Sequence, residues 1–272
     1  MKKVLGIILA LSVVLSLGGC SNTTVGQTET EEPKSVEDQS ITLTFVEDGE
    51  TYEISGKYTG EMVNGKPQGE GKFVGDSDVE SLSYSYEGAF EEGYYNGQGA
   101  VTVVQDGETT TWAGTFAKGE YTPTTAEKFN FAGQFDTFGT FSLSDEVKAY
   151  IASEKDLFPT ADEKAIRSAK IQEYSNRKFI KTCKQEDVGP VKLTLHAAQV
   201  FENDLLGGKI TSILAWDEDG YCYAIHYLDS VEVYEKDEFT VYAVPCSVAC
   251  FDNVGGGTTN VTVLLACHFE GK

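Results

Sequence analysis

An aromatic and glycine pattern with fixed offsets runs through the first half of the chain. Tyr58, Gly60, Met62, Gly65, Gly69 and Gly71 recur at the same offsets as Tyr86, Gly88, Phe90, Gly93, Gly97 and Gly99. A third copy keeps Trp112, Gly114, Phe116 and Gly119, and a fourth keeps Phe131, Gly133 and Phe135 before Gly139. Successive side chains of a strand point to opposite faces, so Tyr58, Gly60 and Met62 share one face while Thr59, Glu61 and Val63 share the other. Glycine between two large side chains leaves room for a ring from the next hairpin. Gly65 falls where the chain must turn with positive φ, which glycine adopts without steric cost. Asp48-Gly49 and Asp106-Gly107 are further two-residue turn signals beside alternating runs such as Ile41–Phe45 and Val101–Val104. With 28 Gly, 14 Tyr and 15 Phe against 2 Met, the composition agrees with stacked antiparallel hairpins rather than a helical bundle.

These units resemble MORN repeats, hairpin modules with an aromatic-x-Gly-x-aromatic first strand and a Gly-x-Gly second strand. The resemblance implies a MORN-type antiparallel sheet over residues 41–143. The face carrying Tyr58, Tyr86, Trp112 and Phe131 then has two readings. Its rings are a platform for a glycan or peptide, or they stack only on one another as any solenoid requires, and the second is preferred because no single repeat buries its own apolar face. Glu61, Glu70, Glu87 and Glu91 fall opposite the rings and read as a solvated face. No Asp-rich loop has EF-hand spacing, so a calcium site finds little support.

At the start of the chain, Lys2 and Lys3 precede an apolar stretch from Val4 to Leu17 that is shorter than the roughly 20 residues a spanning helix needs. Residues 1–19 therefore read as a signal peptide. Leu17-Gly18-Gly19-Cys20 resembles the lipobox of bacterial lipoproteins, which implies that Cys20 is acylated and becomes the new N-terminus. Its acyl chains would hold the protein at the extracytoplasmic face of the cell membrane. Residues 20–40, polar and acidic with a single proline, read as a disordered acidic tether.

Beyond the repeats, Ser144-Asp-Glu146 reads as a helix start and Thr160-Ala-Asp-Glu163 as a capping box after Pro159, which predicts a helical connector over 144–174. Strand patterns follow at Val191–Val200, Lys209–Trp216, Tyr221–Leu228, Glu238–Val244 and Thr259–Phe269, a set that suits a small closed barrel. Asp237–Tyr242, Asn253–Gly257 and Val261–Ala266 resemble OB-fold domains of the tRNA_anti-like type, which implies a five-stranded OB-like barrel over 175–272. Many OB-folds bind nucleic acid, but 43 acidic against 21 basic residues give this chain a charge of −22 and a pI near 4.4, the wrong sign for phosphate. No nucleic-acid partner is expected.

Apart from Cys20, five thiols remain: Cys183, Cys222, Cys246, Cys250 and Cys267. The OB resemblance makes the third and fifth strands neighbours, so Cys222 and Cys267 are first candidates for a disulfide. Cys246-x-x-x-Cys250 with Cys267-His268 has the elements of a zinc site, but i and i+4 on an extended strand lie too far apart, and no metal or cofactor is expected. His196, His226 and His268 lie in strand patterns, with no nucleophile elbow, His-Glu-x-x-His or phosphate loop around them. The sequence thus predicts a non-enzymatic, lipid-anchored binding or scaffold protein of the bacterial envelope, its partner a glycan, peptide or protein. The rival is an envelope hydrolase or redox protein, which a Cys and a His within hydrogen-bond reach in the C-terminal domain would favour.

Overall fold

A computed structural model describes residues 32–47, 50–77, 81–183, 187–252 and 255–271. The signal peptide, Cys20, the first part of the tether and the Asp48-Gly49 turn lie outside them. The described chain is mainly β and divides into two compact units, the first ending at Pro123 and the second beginning at Thr124.

The first unit is an antiparallel sheet whose strands lie side by side in chain order: β1 (Lys34–Glu47), β2 (Glu50–Val63), β3 (Lys66–Gly75), β4 (Leu82–Glu91), β5 (Tyr94–Gln105), β6 (Glu108–Ala117) and β7 (Glu120–Tyr121). The register explains the sequence pattern. Gly60, Gly71, Gly88, Gly99 and Gly114 stand opposite one another across β2 to β6. Beside this glycine row runs a second one of Tyr58, Phe73, Tyr86, Val101 and Trp112. The turn residues Asn64 and Gly65, Glu92 and Gly93, Asp106 and Gly107, and Lys118 and Gly119 all have positive φ. Such residue pairs give hairpin turns whose twist matches the strands. Leu43, Tyr58, Met62, Phe73, Tyr86, Phe90, Tyr95 and Phe116 form the core on one face, while Glu61, Glu70, Glu87 and Glu91 are exposed.

Two boundaries differ from expectation. Strand β1 begins inside the expected tether, with Lys34 to Ser40 running alongside Met62 to Lys57 across an irregularity between Val36 and Gln39. An edge strand has one hydrogen-bonded neighbour and can turn polar side chains to water, so a polar sequence does not bar it from a sheet. The fourth repeat is not a hairpin. Phe131 and Gly133 belong to a helix, and Phe135 follows it.

The second unit opens with that helix, α1 (Thr125–Gly133), followed by α2 (Asp145–Ser153), a 3-10 turn (Lys155–Leu157), α3 (Glu163–Ser168) and α4 (Asn176–Thr182). The Ser144 hydroxyl caps α2 as expected, accepting from Val147 N. The reciprocal capping box is at Thr124 and Glu127, not at Thr160, and α3 is capped instead by Asp162. The helical region therefore starts at Thr125 rather than 144.

Strands β8 (Val191–Leu205), β9 (Gly208–Trp216), β10 (Cys222–Tyr227), β11 (Glu238–Asp252) and β12 (Thr258–Phe269) close into a ring in the order β10-β12-β11-β8-β9. All neighbours are antiparallel except β10 and β12. Inward-facing Leu195, Ile213, Tyr223, Ile225, Val241 and Leu264 fill the ring. A second core forms where the outward side chains Leu214, Ala224, Val263 and Leu265 pack with Phe129, Phe141, Val147, Ile151 and Ile166 of the helical segment.

Candidate functional site

The structure overturns the aromatic platform. Tyr58 and Tyr86 are wholly buried, Trp112 is 8% exposed, and Phe131 is buried in α1. Each tyrosine ring is enclosed by its own repeat and the next. Tyr86 stacks on Tyr95 with centroids 3.6 Å apart and meets Phe90 and Phe116 edge-on, and Tyr58 meets Phe90 edge-on. No ring face remains for a ligand, because stacking hairpins is what buries the apolar face of each one.

The disulfide is overturned as well. Strands β10 and β12 are neighbours, but their parallel register sets Tyr223 opposite Thr262, so Cys222 lies beside Val261. Cys267 is then roughly 20 Å farther along β12, well beyond the span a disulfide can bridge. Both thiols are free, as are Cys183, Cys246 and Cys250. Burial pushes the Cys222 thiol up to about 11 and raises Cys246 and Cys267 further. Among the described residues no group of His, Cys, Asp and Glu is arranged to hold a metal ion.

The histidines partner other groups than cysteine. His268 Nδ1 donates to the Thr160 carbonyl at 2.9 Å. His226, 1% exposed, shares a 3.1 Å hydrogen bond between its Nδ1 and Ser212 Oγ, and its Nε2 lies 2.8 Å from Oδ2 of Asp136, itself 4% exposed. Sequence reading gave no sign of this Ser-His-Asp arrangement, because Asp136 comes from the loop after α1 and the other two from β9 and β10. It has the residue types of a hydrolytic triad without the access. The Phe141 ring is stacked on the imidazole with centroids 5.0 Å apart, and the Asp136 oxygen sits off the ring N–H direction. Two clefts of this unit, of about 500 and 420 Å³, are lined by other residues. The arrangement fastens the loop after α1 to the barrel.

One accessible polar face among the described residues is the outward side of β8 and β11, where the two strands pair. Lys192, Thr194 and His196 of β8 stand opposite Tyr242, Thr240 and Glu238 of β11, and His196 also stands opposite Trp216 of β9. Inward-pointing Leu195, Phe239 and Val241 anchor these strands in the barrel core. Lys192 pairs with Glu270 at 3.0 Å and lies 5.3 Å from the centre of the Tyr242 ring. The Glu270 carboxylate raises the lysine above its ordinary pKa. Thr194 and Thr240 hydroxyls are 3.1 Å apart, and His196 Nε2 is 3.7 Å from Glu238 Oε2. Trp216 is 45% exposed. The period-two alternation of these strands placed the residues outward, but which outward faces the helices would cover could not be read from it. No family model, curated protein or solved structure matches the chain.

Proposed function

We propose that this chain is a lipid-anchored, extracytoplasmic binding or scaffold protein of the bacterial cell envelope, built from MORN-like hairpins and an OB-like barrel. The observation that carries the reading is Leu17-Gly18-Gly19-Cys20 at the end of an apolar stretch too short to span a bilayer. No helix among the described residues is long and apolar enough to cross a membrane, which is compatible with attachment through acyl chains. The glycine and ring rows across β2 to β6 support the MORN-like assignment. The ring of strands, with its third and fifth members side by side, supports the OB-like one. Binding rather than catalysis is favoured by the partners of the described imidazoles, which are Ser212, Asp136, Thr160 and Glu238 rather than a thiol, and by a Ser-His-Asp group sealed under Phe141.

Replacing Cys20 by Ala tests the anchor. The variant is expected in the soluble extracytoplasmic fraction while the parent chain sediments with membranes. A variant that stays fully membrane-bound would overturn the reading.

A further inference from the structure

The dipeptide Asn-Gly occurs twice in the sequence, and the fold puts the two copies in different surroundings. Asn64 and Gly65 are the two residues of the turn between β2 and β3, both exposed, with φ of +50° and +75°. The last cross-strand pair before them is Val63 with Lys66, so the Gly65 amide lies beyond the end of the ladder. A Cβ placed on Gly65 would meet nothing within 4 Å. Asn96 and Gly97 lie inside β5 instead. Gly97 stands opposite Phe116 of β6, and the Asn96 side chain is held at both ends, its Nδ2 donating to Glu91 Oε2 at 2.5 Å and its Oδ1 accepting from Lys118 N at 3.2 Å. Exposed turns open locally at little cost in free energy, whereas residues inside a ladder open at a cost that rises toward that of global unfolding.

We propose that Asn64 is a site of spontaneous deamidation in the folded chain, while Asn96, in the same dipeptide, is protected by the sheet. The reaction needs only water. Gly65 N, once deprotonated, attacks Asn64 Cγ; the Cγ–Nδ2 bond breaks, and the nitrogen leaves as ammonia with the proton that Gly65 N gave up, closing a succinimide. Water then opens the imide at either carbonyl, giving aspartate or, where the main-chain carbonyl is cleaved from nitrogen, isoaspartate. Nothing is oxidised or reduced. Glycine suits the attacking position because the missing Cβ leaves its nitrogen unhindered and its backbone free to rotate. Bringing Gly65 N to Asn64 Cγ takes a rotation of the Asn64 backbone that disturbs no pair beyond Val63 and Lys66. At Asn96 the same movement would break the bonds to Glu91 and Lys118 and the alignment with β6. Each event adds a negative charge to a chain of −22 and, as isoaspartate, lengthens the backbone of a two-residue turn. Pro67, just past the turn, accepts from Gly93 N at 3.0 Å, so the change reaches the next hairpin. This inference is independent of the envelope reading, since it needs neither an anchor nor a ligand.

The test incubates the folded full chain at pH 8 and 37 °C beside a sample unfolded in urea. Mass spectrometry follows the peptides that carry Asn64 and Asn96, and chromatography separates their aspartyl and isoaspartyl products. Unfolded, the two sites should convert at similar rates. Folded, Asn64 should convert at least about tenfold faster than Asn96, a ratio that a modest difference in local opening supplies. Its conversion should slow at pH 6, where less of the Gly65 amide is deprotonated. Gly65→Ala should slow Asn64 further and leave Asn96 unchanged, because the added methyl crowds the attacking nitrogen and meets nothing else. Circular dichroism checks that this variant folds, and if it does not, the comparison of the two sites within the parent chain decides. The proposal is overturned if Asn96 converts as fast as Asn64 in the folded chain. It is equally overturned if Asn64 stays intact there while the unfolded sample converts.

Discussion

Tyr58 and Tyr86 show why the repeat has the residues it has. Each hydroxyl donates to the backbone carbonyl three residues on, Glu61 O at 2.9 Å and Ala89 O at 2.8 Å, and each ring lies against a cross-strand glycine pair. A Cβ at Gly71 would sit 2.5 Å from the Tyr58 hydroxyl and 2.6 Å from its Cε2. Gly107, with φ of +85° at a turn, has nothing within 4 Å of such an atom. Gly71→Ala should therefore cost about 1–3 kcal/mol through overpacking. Gly107→Ala should cost about 1 kcal/mol, the ordinary penalty of a left-handed alanine, and urea denaturation of the two variants compares them. The thiols give a second prediction. Cys183 and Cys250 are exposed, so they should react with a disulfide reagent at pH 8 at ordinary rates. With a pKa near 11, Cys222 is thiolate in only about one molecule in a thousand at that pH. Its labelling should rise about tenfold per pH unit toward 11, whereas Cys246 and Cys267 should react only on unfolding; rapid reaction of all five at pH 8 would contradict their burial.

Hairpins are tied to one another by a device that repeats with the glycines. The Gln68 side chain accepts from Glu92 N in the next turn, and Asn96, its counterpart one repeat later, accepts from Lys118 N. Gly93 N donates to Pro67 O and Gly119 N to Tyr95 O, again at equivalent positions. The series stops at the fourth copy because a helix signal competes there. Phe131, Gly133 and Phe135 have strand spacing, but the Thr124 hydroxyl accepts from Glu127 N while Glu127 Oε2 accepts from Thr124 N at 2.7 Å, and this capping box starts α1. The same residue types at Thr160 to Glu163 had the sequence pattern without the geometry, since Thr160 Oγ1 accepts from Asp162 N, two residues on, instead. Thr124→Ala should lower stability by about 1 kcal/mol, read as a fall in Tm of the fragment that carries it. An unchanged Tm would mean that packing of Phe129 and Phe131 alone holds the helix.

The whole molecule divides at Pro123, upstream of the connector that the sequence predicts over 144–174. The helices from α1 to α3 share a core with the barrel's outer face, and Asp136 reaches His226 from the loop between α1 and α2. Fragments 32–123 and 124–272 should each show cooperative unfolding, since each holds its own buried cluster. A cut between Ser153 and Asp162 should instead loosen the second unit, because it separates α1 and α2 from the core they complete. Circular dichroism of the isolated pieces checks both outcomes, and a stable 163–272 fragment would show the helices to be dispensable.

Periodicity along the chain was enough to specify the hairpins of the first three repeats, the five barrel strands and the outward acidic face, because alternation and positive-φ glycines are local properties of the backbone; at the fourth copy it was overruled by a helix cap. It also showed which residues share a face of a strand. Whether a face meets water is a different matter, settled by what packs on it. Tyr58, Tyr86 and Trp112 lost their exposure to the neighbouring hairpins, and His226 lost its own to Phe141 and Asp136, while Trp216 stayed at the surface. Register decided the rest. Cys222 and Cys267 sit on adjacent strands yet far apart along them, and Glu238, His196 and Trp216, distant in sequence, stand abreast, because closing the barrel fixes how far each strand slides past the next.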